Sequence, residues 1–284
     1  MRIVTYNTQY GVGRDGKFDL GRIAREVEGA DIIALQEVTR NFARNGGIDM
    51  IERLAALLPG YFTAFGPAMD LDFGATDGEG RPLNKRFQFG NMVLSRWPIV
   101  ASRNLLLPRT LRFSRGNLQR SALEALIVAP SGPIRIYSVH LDHVSATERA
   151  LQIRHLKERA CAYAGEGGAI SGSAEFGFPE PPRPESLVLM GDFNMDRFSP
   201  EYALMTGEQD DASRQAGTDP IDVYSLGDGV PDGAVSWVDD ARPEDNRLID
   251  FAFVEASLAG KIGKVWIDRE AKGSDHLPVW FELA

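Results

Sequence analysis

The chain has 284 residues and a mass of 31.2 kDa, enough for one large or two ordinary domains, since domains run to about 100–200 residues. Its 43% hydrophobic and 25% charged residues are ordinary globular values and exclude a disordered chain. A net charge of −9 and a pI near 5.1 argue against a general nucleic-acid coat, whose affinity comes from Lys and Arg neutralising phosphates, and a single cysteine, Cys161, excludes an internal disulfide framework and any zinc cluster of two or more thiolates.

Met1 leads straight into the strand-like Arg2-Ile3-Val4-Thr5-Tyr6 without an apolar leader, and no run approaches membrane-spanning length. A cytoplasmic protein without stable membrane insertion is expected. Asp19 as N-cap, followed by Ile23, Val27 and Ala30, predicts a short helix over about residues 19 to 29 between strands at Arg2 to Asn7 and Asp31 to Glu37. A second helix is expected at Ile48 to Leu58, ended by Pro59-Gly60. Strand runs follow at Tyr61 to Pro67, Asn91 to Trp97, Ala122 to Ala129 and Ile134 to Leu141, the last two joined by a hairpin signal at Pro130-Ser131-Gly132-Pro133. Ser145 and Glu148 have capping-box spacing and open the longest helix, about Thr147 to Ala164, in which Cys161 reads as a small apolar filler. Gly165 to Glu185, rich in Gly, Pro and Ser, reads as a long surface loop, and four more strand-like runs finish the chain. No internal repeat is evident. Strands with few helices point to an α/β or α+β two-sheet sandwich, and site residues dispersed along the whole length favour a single domain, 1–284.

The most informative stretch is Leu187-Val188-Leu189-Met190-Gly191-Asp192-Phe193-Asn194. Residues two apart in a strand share a face, so Asp192 and Asn194 are expected side by side at the end of a buried strand; the bland alternative is an Asx turn. Glu37 follows Ile32-Ile33-Ala34-Leu35, where an ionised carboxylate is costly unless it is paired or on a metal. With Asn7 and Asp275 it makes an all-oxygen donor set that suits Mg²⁺ or Mn²⁺ better than zinc. His276 needs a carboxylate to fix its tautomer, and Asp250, heading Phe251-Ala252-Phe253-Val254, is the candidate partner. His140 ends the strand Ile136-Tyr137-Ser138-Val139, a position that is more often structural than catalytic. Arginines 103, 109, 112, 115 and 120 form a basic segment without an acidic residue. It reads either as a grip on phosphate oxygens or as a solvated loop paired with surface acids. Arg120 is the best single candidate for contacting substrate, with Asn91 of Gly90-Asn91-Met92 beside it. His143 and His155 read as solvent or helix-surface residues.

Six segments in this order, Tyr6-Asn7, Leu35-Gln36-Glu37-Val38, Ser138-Val139-His140-Leu141, Gly191-Asp192-Phe193-Asn194, Arg247-Leu248-Ile249-Asp250-Phe251 and Gly273-Ser274-Asp275-His276-Leu277-Pro278, resemble the endonuclease/exonuclease/phosphatase superfamily, over residues 2 to 283. Pancreatic deoxyribonuclease, apurinic endonucleases, bacterial sphingomyelinases and inositol polyphosphate 5-phosphatases belong to it. The resemblance implies four layers, two central mixed sheets flanked by helices, with the site where strand ends converge at one edge. It implies that Asn7 and Glu37 bind the catalytic metal, that Asp275 lies close to it or ligates it, and that Asp250 pairs with a His276 that contacts the scissile phosphate or acts as acid/base. Asp192 would orient and deprotonate the attacking water, Asn194 would hydrogen-bond it or the phosphate, and His140 would be the second histidine. In pancreatic deoxyribonuclease a glutamate backs the histidine matching His140, whereas Asn84-Lys85-Arg86-Phe87 offers no equivalent here and Asp142 reads as a neighbour. The expectation is a divalent-metal-dependent hydrolase of phosphoester bonds, a phosphodiesterase using in-line attack by an Asp192-activated water. The alternative is a metal-dependent endo- or exonuclease acting on DNA or RNA, and the competing class is a non-catalytic binding module of the same fold. No extended basic face, export signal or exposed apolar hairpin is evident, so a small or lipid-like phosphodiester fits the acidic balance better than duplex DNA.

Overall fold

Strands β1 (Arg2–Asn7) and β2 (Ile32–Arg40) carry near-continuous apolar runs and pair in parallel, with Asn7 opposite Gln36. That pattern suits strands covered on both faces. The helix joining them, α1 (Leu20–Glu26), starts where the Asp19 side chain accepts the Arg22 N–H, and α2 (Met50–Leu57) starts where Asp49 accepts from Ile51 and Glu52. The computed structural model describes residues 1–113, 116–207, 219–227 and 233–284. Arg115 of the basic segment lies outside them.

The chain continues through β3 (Phe62–Asp72), β4 (Ala75–Thr76), β5 (Pro82–Leu83), β6 (Arg86–Ser95), β7 (Ile99–Leu106), β8 (Ser121–Ala129), β9 (Gly132–His140) and α3 (Ala146–Glu166). After these come β10 (Leu187–Asp192), α4 (Pro200–Thr206), β11 (Ile221–Asp222), β12 (Asp250–Val254), α5 (Ala256–Ala259), β13 (Ile262–Ile267) and β14 (Val279–Leu283). Two six-stranded mixed sheets result, ordered β13-β14-β1-β2-β6-β3 and β11-β12-β10-β9-β8-β7. Each has one parallel pair at its centre, β1 with β2 and β10 with β9, and antiparallel neighbours outside it. This is the internal pseudo-symmetry that the amino-acid sequence does not display. Val4, Leu35 and Leu94 of the first sheet pack with Ile23 of α1 and Leu54 of α2. Ile3, Ile32 and Val93 join Ala125, Ile136, Val188 and the α3 residues Ile153 and Leu156 in the larger core. The layers are therefore helix, sheet, sheet, helix, as the α/β sandwich reading expects.

Local expectations hold where the signal is local. Ala129 pairs with Gly132, leaving Pro130 and Ser131 as a two-residue hairpin turn. Ser145 Oγ accepts the Glu148 N–H at 3.3 Å, but the capping box stays open: the buried Glu148 carboxylate turns to the Thr110 backbone N–H at 2.9 Å and to the Thr110 hydroxyl. It holds the loop before β8 instead. Strand β7 escaped the sequence reading because it is a sheet edge whose residues are only partly covered. Cys161 is exposed on α3 and fills no core position. The β3–β6 pair runs out beyond the sheet as an arm on which Leu71, Phe73 and Leu83 are each about half exposed, so an exposed apolar hairpin does exist. Its apolar residues are interspersed with Asp, Gly and Lys, which hides it in the sequence. Among the described residues no helix is long and apolar enough to cross a membrane.

Gly191, which delivers Asp192 to the edge of its sheet, has φ of +151°, and a Cβ there would lie 1.9 Å from the Val139 carbonyl oxygen. Close packing of β10 on β9 requires glycine at this place.

Candidate active site

The topology gathers the motif residues at one edge. Asn7 and Asp192 end β1 and β10, and His140 ends β9; Asp250 begins the antiparallel β12 directly opposite Asp192. Asp275 and His276 lie in the loop entering β14, the antiparallel neighbour of β1. Asp192, His140, Asp275 and His276 line a pocket of about 510 Å³ together with Glu37, Arg120 and Asn194, and Asn7 and Asp250 stand behind Asp192 and His276.

Glu37 reaches it by a different device from the expected strand exit, because β2 runs on to Arg40. A register break between Leu35 and Val38 marks a bulge, and Glu37 adopts φ of +58°. A non-glycine residue in the left-handed region costs about 1–3 kcal/mol and clusters at functional sites. Gln36, the other bulge residue, points between the sheets and donates to Ser138 Oγ at 2.9 Å.

Asp192 is the hub. Its Oδ2 accepts from Asn7 Nδ2 at 3.0 Å and lies 3.3 Å from His140 Nε2 and 3.7 Å from His276 Nε2. Burial pushes its carboxyl up to about 7, against the opposing charges of His276 and Arg120. Its Oδ1 accepts the Asn194 N–H at 3.0 Å. That is an Asx turn, so the bland reading of the motif and the functional one coexist. Asn194 itself lies past the strand with φ of +50°, and its Nδ2 donates to the Leu141 carbonyl at 3.2 Å. Two-residue alternation therefore does not explain its place; the turn does.

His276 Nδ1 donates to Asp250 Oδ2 at 2.8 Å with both side chains buried. Burial by itself would lower this imidazole, but Asp250 and Asp192 on either side overcome it and raise His276 to about 10. His140 is its electrostatic opposite. Burial and then the neighbouring Arg120 hold it well below the usual histidine range, so it is neutral. Arg120 Nη1 donates to His140 Nε2 at 2.7 Å and Nη2 to His143 Nδ1 at 2.9 Å. The His140 proton then sits on Nδ1, which is buried without a hydrogen-bond partner. This is the missing backing glutamate seen as geometry. Asp142 does not substitute for it, because its Oδ2 accepts from Val144 and Ser145 at the start of α3.

Two expectations are corrected and a third is extended. Asn91 is not at the pocket: it sits between the sheets, its Nδ2 donating to the Ser121 and Ser138 carbonyls at 2.9 Å each. Replacing Asn91 by Ala is expected to cost about 1–3 kcal/mol of stability with KM unchanged; a urea midpoint beside a KM determination checks this, and a raised KM at unchanged stability would restore it as a substrate ligand. His143 is exposed, as expected of a solvent residue, and it also lines the pocket. Of the arginine segment, Arg103 makes a forked pair with Glu124, and Arg112 lies 4.0 Å from Glu148. Only Arg120 among the described members reaches the pocket. The sequence reading also missed the pocket's rim, formed by Tyr10, Phe42, Arg44, Phe87, Trp237 and Arg247. The rim residues come from separate segments, Phe87 from the start of β6 and the others from turns and loops, so no local signal marks them.

Ligand atoms of Asp192, Asp250 and His276 lie within 4.8 Å of one another, a spacing open to a cation. His276 Nδ1 is already engaged by Asp250, however, and the two carboxylates hold this imidazole charged, a form that is no metal ligand. The second carboxylate group, Glu37 with Asp275, is the alternative. Burial raises Glu37, opposed by the positive Arg120 and His276 and reinforced by Asp275, and among the described residues Asp275 accepts from the uncharged donors Trp237 Nε1 at 3.1 Å and Ser274 Oγ at 3.3 Å. Two neighbouring carboxylates that offer hard oxygens fit a divalent ion such as Mg²⁺ or Mn²⁺. Asn7 presents Nδ2 to Glu37 and Asp192 while its Oδ1 accepts the Gln9 N–H, so it lends an oxygen only with its amide turned over.

Solved structures resemble this chain throughout its length. An endonuclease/exonuclease/phosphatase from Beutenbergia cavernae is 24% identical with a TM-score of 0.67, covering 100% of this chain and 72% of that one. A mannosyl-6-phosphatase from Bacteroides thetaiotaomicron is 19% identical with a TM-score of 0.66, covering 100% and 99%. A 3′ phosphatase from Neisseria bound to a product DNA hairpin is 17% identical with a TM-score of 0.58, again covering 100% and 99%. At these identities the likeness establishes the fold. No curated protein matches the sequence. The model of the Endonuclease/Exonuclease/phosphatase family matches residues 4–276, nearly the whole chain and reaching into all six motif segments, and the protein therefore belongs to that family.

Proposed function

We propose that this protein is a divalent-metal-dependent phosphoester hydrolase acting on phosphodiesters, with Asp192 as the base that orients and deprotonates the attacking water. The observation that carries this reading is the position of Asp192: a buried carboxylate raised towards neutrality at the floor of a pocket, held by Asn7 and the Asn194 turn and faced by a charged histidine. A base with such a pKa is half ionised near neutral pH and still strong enough to take a proton. His276, kept charged by Asp250, turns Nε2 towards the pocket and would donate to a phosphate oxygen as negative charge builds on it. Arg120 adds a second fixed positive charge. Neutral His140, whose Nε2 accepts from Arg120, would aim that guanidinium at the phosphate without itself supplying a proton. When bound, an ion held by Glu37 and Asp275, with Asn7 beside them, would neutralise charge on the reacting phosphate. The single domain 1–284 is part of the same proposal, since the site draws residues from both ends of the chain.

A nuclease is the second reading, favoured by the aromatic and arginine-bearing rim and by the DNA hairpin in the Neisseria neighbour. Hydrolysis of a generic diester, a monoester, an abasic duplex and single-stranded DNA, with and without Mg²⁺ or Mn²⁺, separates the two. Turnover that needs the ion supports the hydrolase, and the preferred substrate selects the class. Metal binding with no turnover on any substrate would favour a binding module. Independently of activity, Mg²⁺ or Mn²⁺ at about a hundred times its Kd is expected to stabilise the fold by about 2.7 kcal/mol, a rise in Tm of about 5 °C or more. Glu37→Gln should abolish the rise in a thermal melt. An undiminished rise in that variant would remove Glu37 from the metal site.

A further inference from the structure

The rim that the motifs do not explain is an ordered wall. Phe42 and Phe87 stack at 5.1 Å and 18°, and Tyr10 meets Phe42 edge-on at 5.1 Å and 82°. The Arg44 guanidinium stands 6.0 Å from the Phe42 ring, with Nη1 3.4 Å from the Tyr10 hydroxyl. Three non-glycine residues in left-handed conformation, Gln9, Tyr10 and Asn41, hold these segments. Asn45 Nδ2 ties them together by donating to the Tyr10 carbonyl at 3.1 Å and Thr39 Oγ1 at 2.9 Å. Across the pocket Arg247 covers the Trp237 ring at 5.7 Å.

We propose that the Tyr10–Phe42–Phe87 wall is a stacking subsite for one unpaired nucleobase, so that the preferred phosphoester is a short single-stranded nucleotide unit. This rests on the phosphoester hydrolase reading of the same pocket. Phe42 already stacks on Phe87 and carries Arg44, so the base would continue the stack that Phe42 supports; aromatic faces stack any base, because every base has a π-face. A pyranose could lie on the same rings, but its hydroxyls need several polar partners, and among the described residues of this wall the Tyr10 hydroxyl and Arg44 already bond each other. The exposed Arg44 and Arg247 are placed for phosphates on either side of the scissile one. An acidic chain with two such arginines supports a short substrate rather than a long duplex track.

The test compares KM for a dinucleoside monophosphate with KM for an abasic phosphodiester of equal charge, in wild type, Phe42→Ala, Phe42→Trp and Arg44→Ala. In Phe42→Ala the dinucleotide's KM should rise about 5- to 100-fold more than that of the abasic diester, the size of one base-stacking contact. Phe42→Trp should recover most of it, and Arg44→Ala should penalise substrates with an additional phosphate. Calorimetric binding of the same two compounds without metal is measured in parallel, with thermal melts to show that each variant is folded. Equal losses on both compounds, or a preference for a sugar phosphate over the dinucleotide, overturns the subsite. If no compound is hydrolysed but the dinucleotide binds and Phe42→Ala loses that binding, the subsite stands and the hydrolase reading falls. Absence of dinucleotide binding in wild type overturns the subsite outright.

Discussion

Replacing Asp192 by Asn is expected to lower kcat on the preferred phosphoester by about 10²- to 10⁴-fold, the contribution of a positioned general base. The substitution keeps the size of the side chain and the acceptor for the Asn194 N–H, so the loss should appear in kcat more than in KM. A second consequence follows from burial. The folded-state pKa of Asp192 is raised from 3.8 to about 7, so its protonated form is the one the fold favours. That contribution to stability is fully present below about pH 4 and is lost as pH rises through about 7. Metal-free wild type should therefore lose stability relative to Asp192→Asn between those values, and urea midpoints at acidic and at slightly alkaline pH measure it. A variant retaining more than about a tenth of wild-type kcat would remove Asp192 from the chemistry; a flat difference in stability would deny its raised pKa.

The companion result concerns the charge on His276. Asp250→Asn keeps an oxygen that can accept from Nδ1 but removes the negative charge that, with Asp192, holds His276 at about 10. Because the folded pKa is raised above the ordinary 6.5, the stabilisation from the imidazolium is complete below about 6.5 and is lost as pH rises through about 10. The pH profile of wild-type kcat/KM should accordingly rise with an acid limb at or below about 7, from Asp192, and fall near 10, from His276. In Asp250→Asn the alkaline limb should move towards neutral pH and kcat should fall about 100-fold or more. Breaking a buried charge pair by removing one partner also costs about 3–5 kcal/mol, visible as a lower urea midpoint. An unmoved alkaline limb would mean that His276 does not donate the critical hydrogen bond.

These two residues also show how far the amino-acid sequence reaches. Asp250 and His276 are 26 positions apart, and their pairing was read from a carboxylate heading an apolar strand and a histidine that needs one. Asp192 was read from a buried strand ending on Gly191-Asp192. In both cases the local pattern constrains burial, and burial constrains what an ionisable group must find. Asn91 obeyed the same pattern and still misled. A polar residue inside an apolar strand can face either the pocket or the opposite sheet, and only the stacking of β6 against β8 and β9 sends its amide to the Ser121 and Ser138 carbonyls.

The amino-acid sequence by itself determined the order and type of the main elements, the family and the motif residues, because hydrophobic period, capping and short motifs are local physics. Tertiary structure alone decided which of them meet. The bulge at Glu37 turns a carboxylate from mid-strand into the pocket, and the Arg120 fork makes His140 a neutral acceptor. The rim assembles Tyr10, Phe42 and Phe87 from separate segments. Each depends on distances between chain segments, which a one-dimensional pattern does not encode.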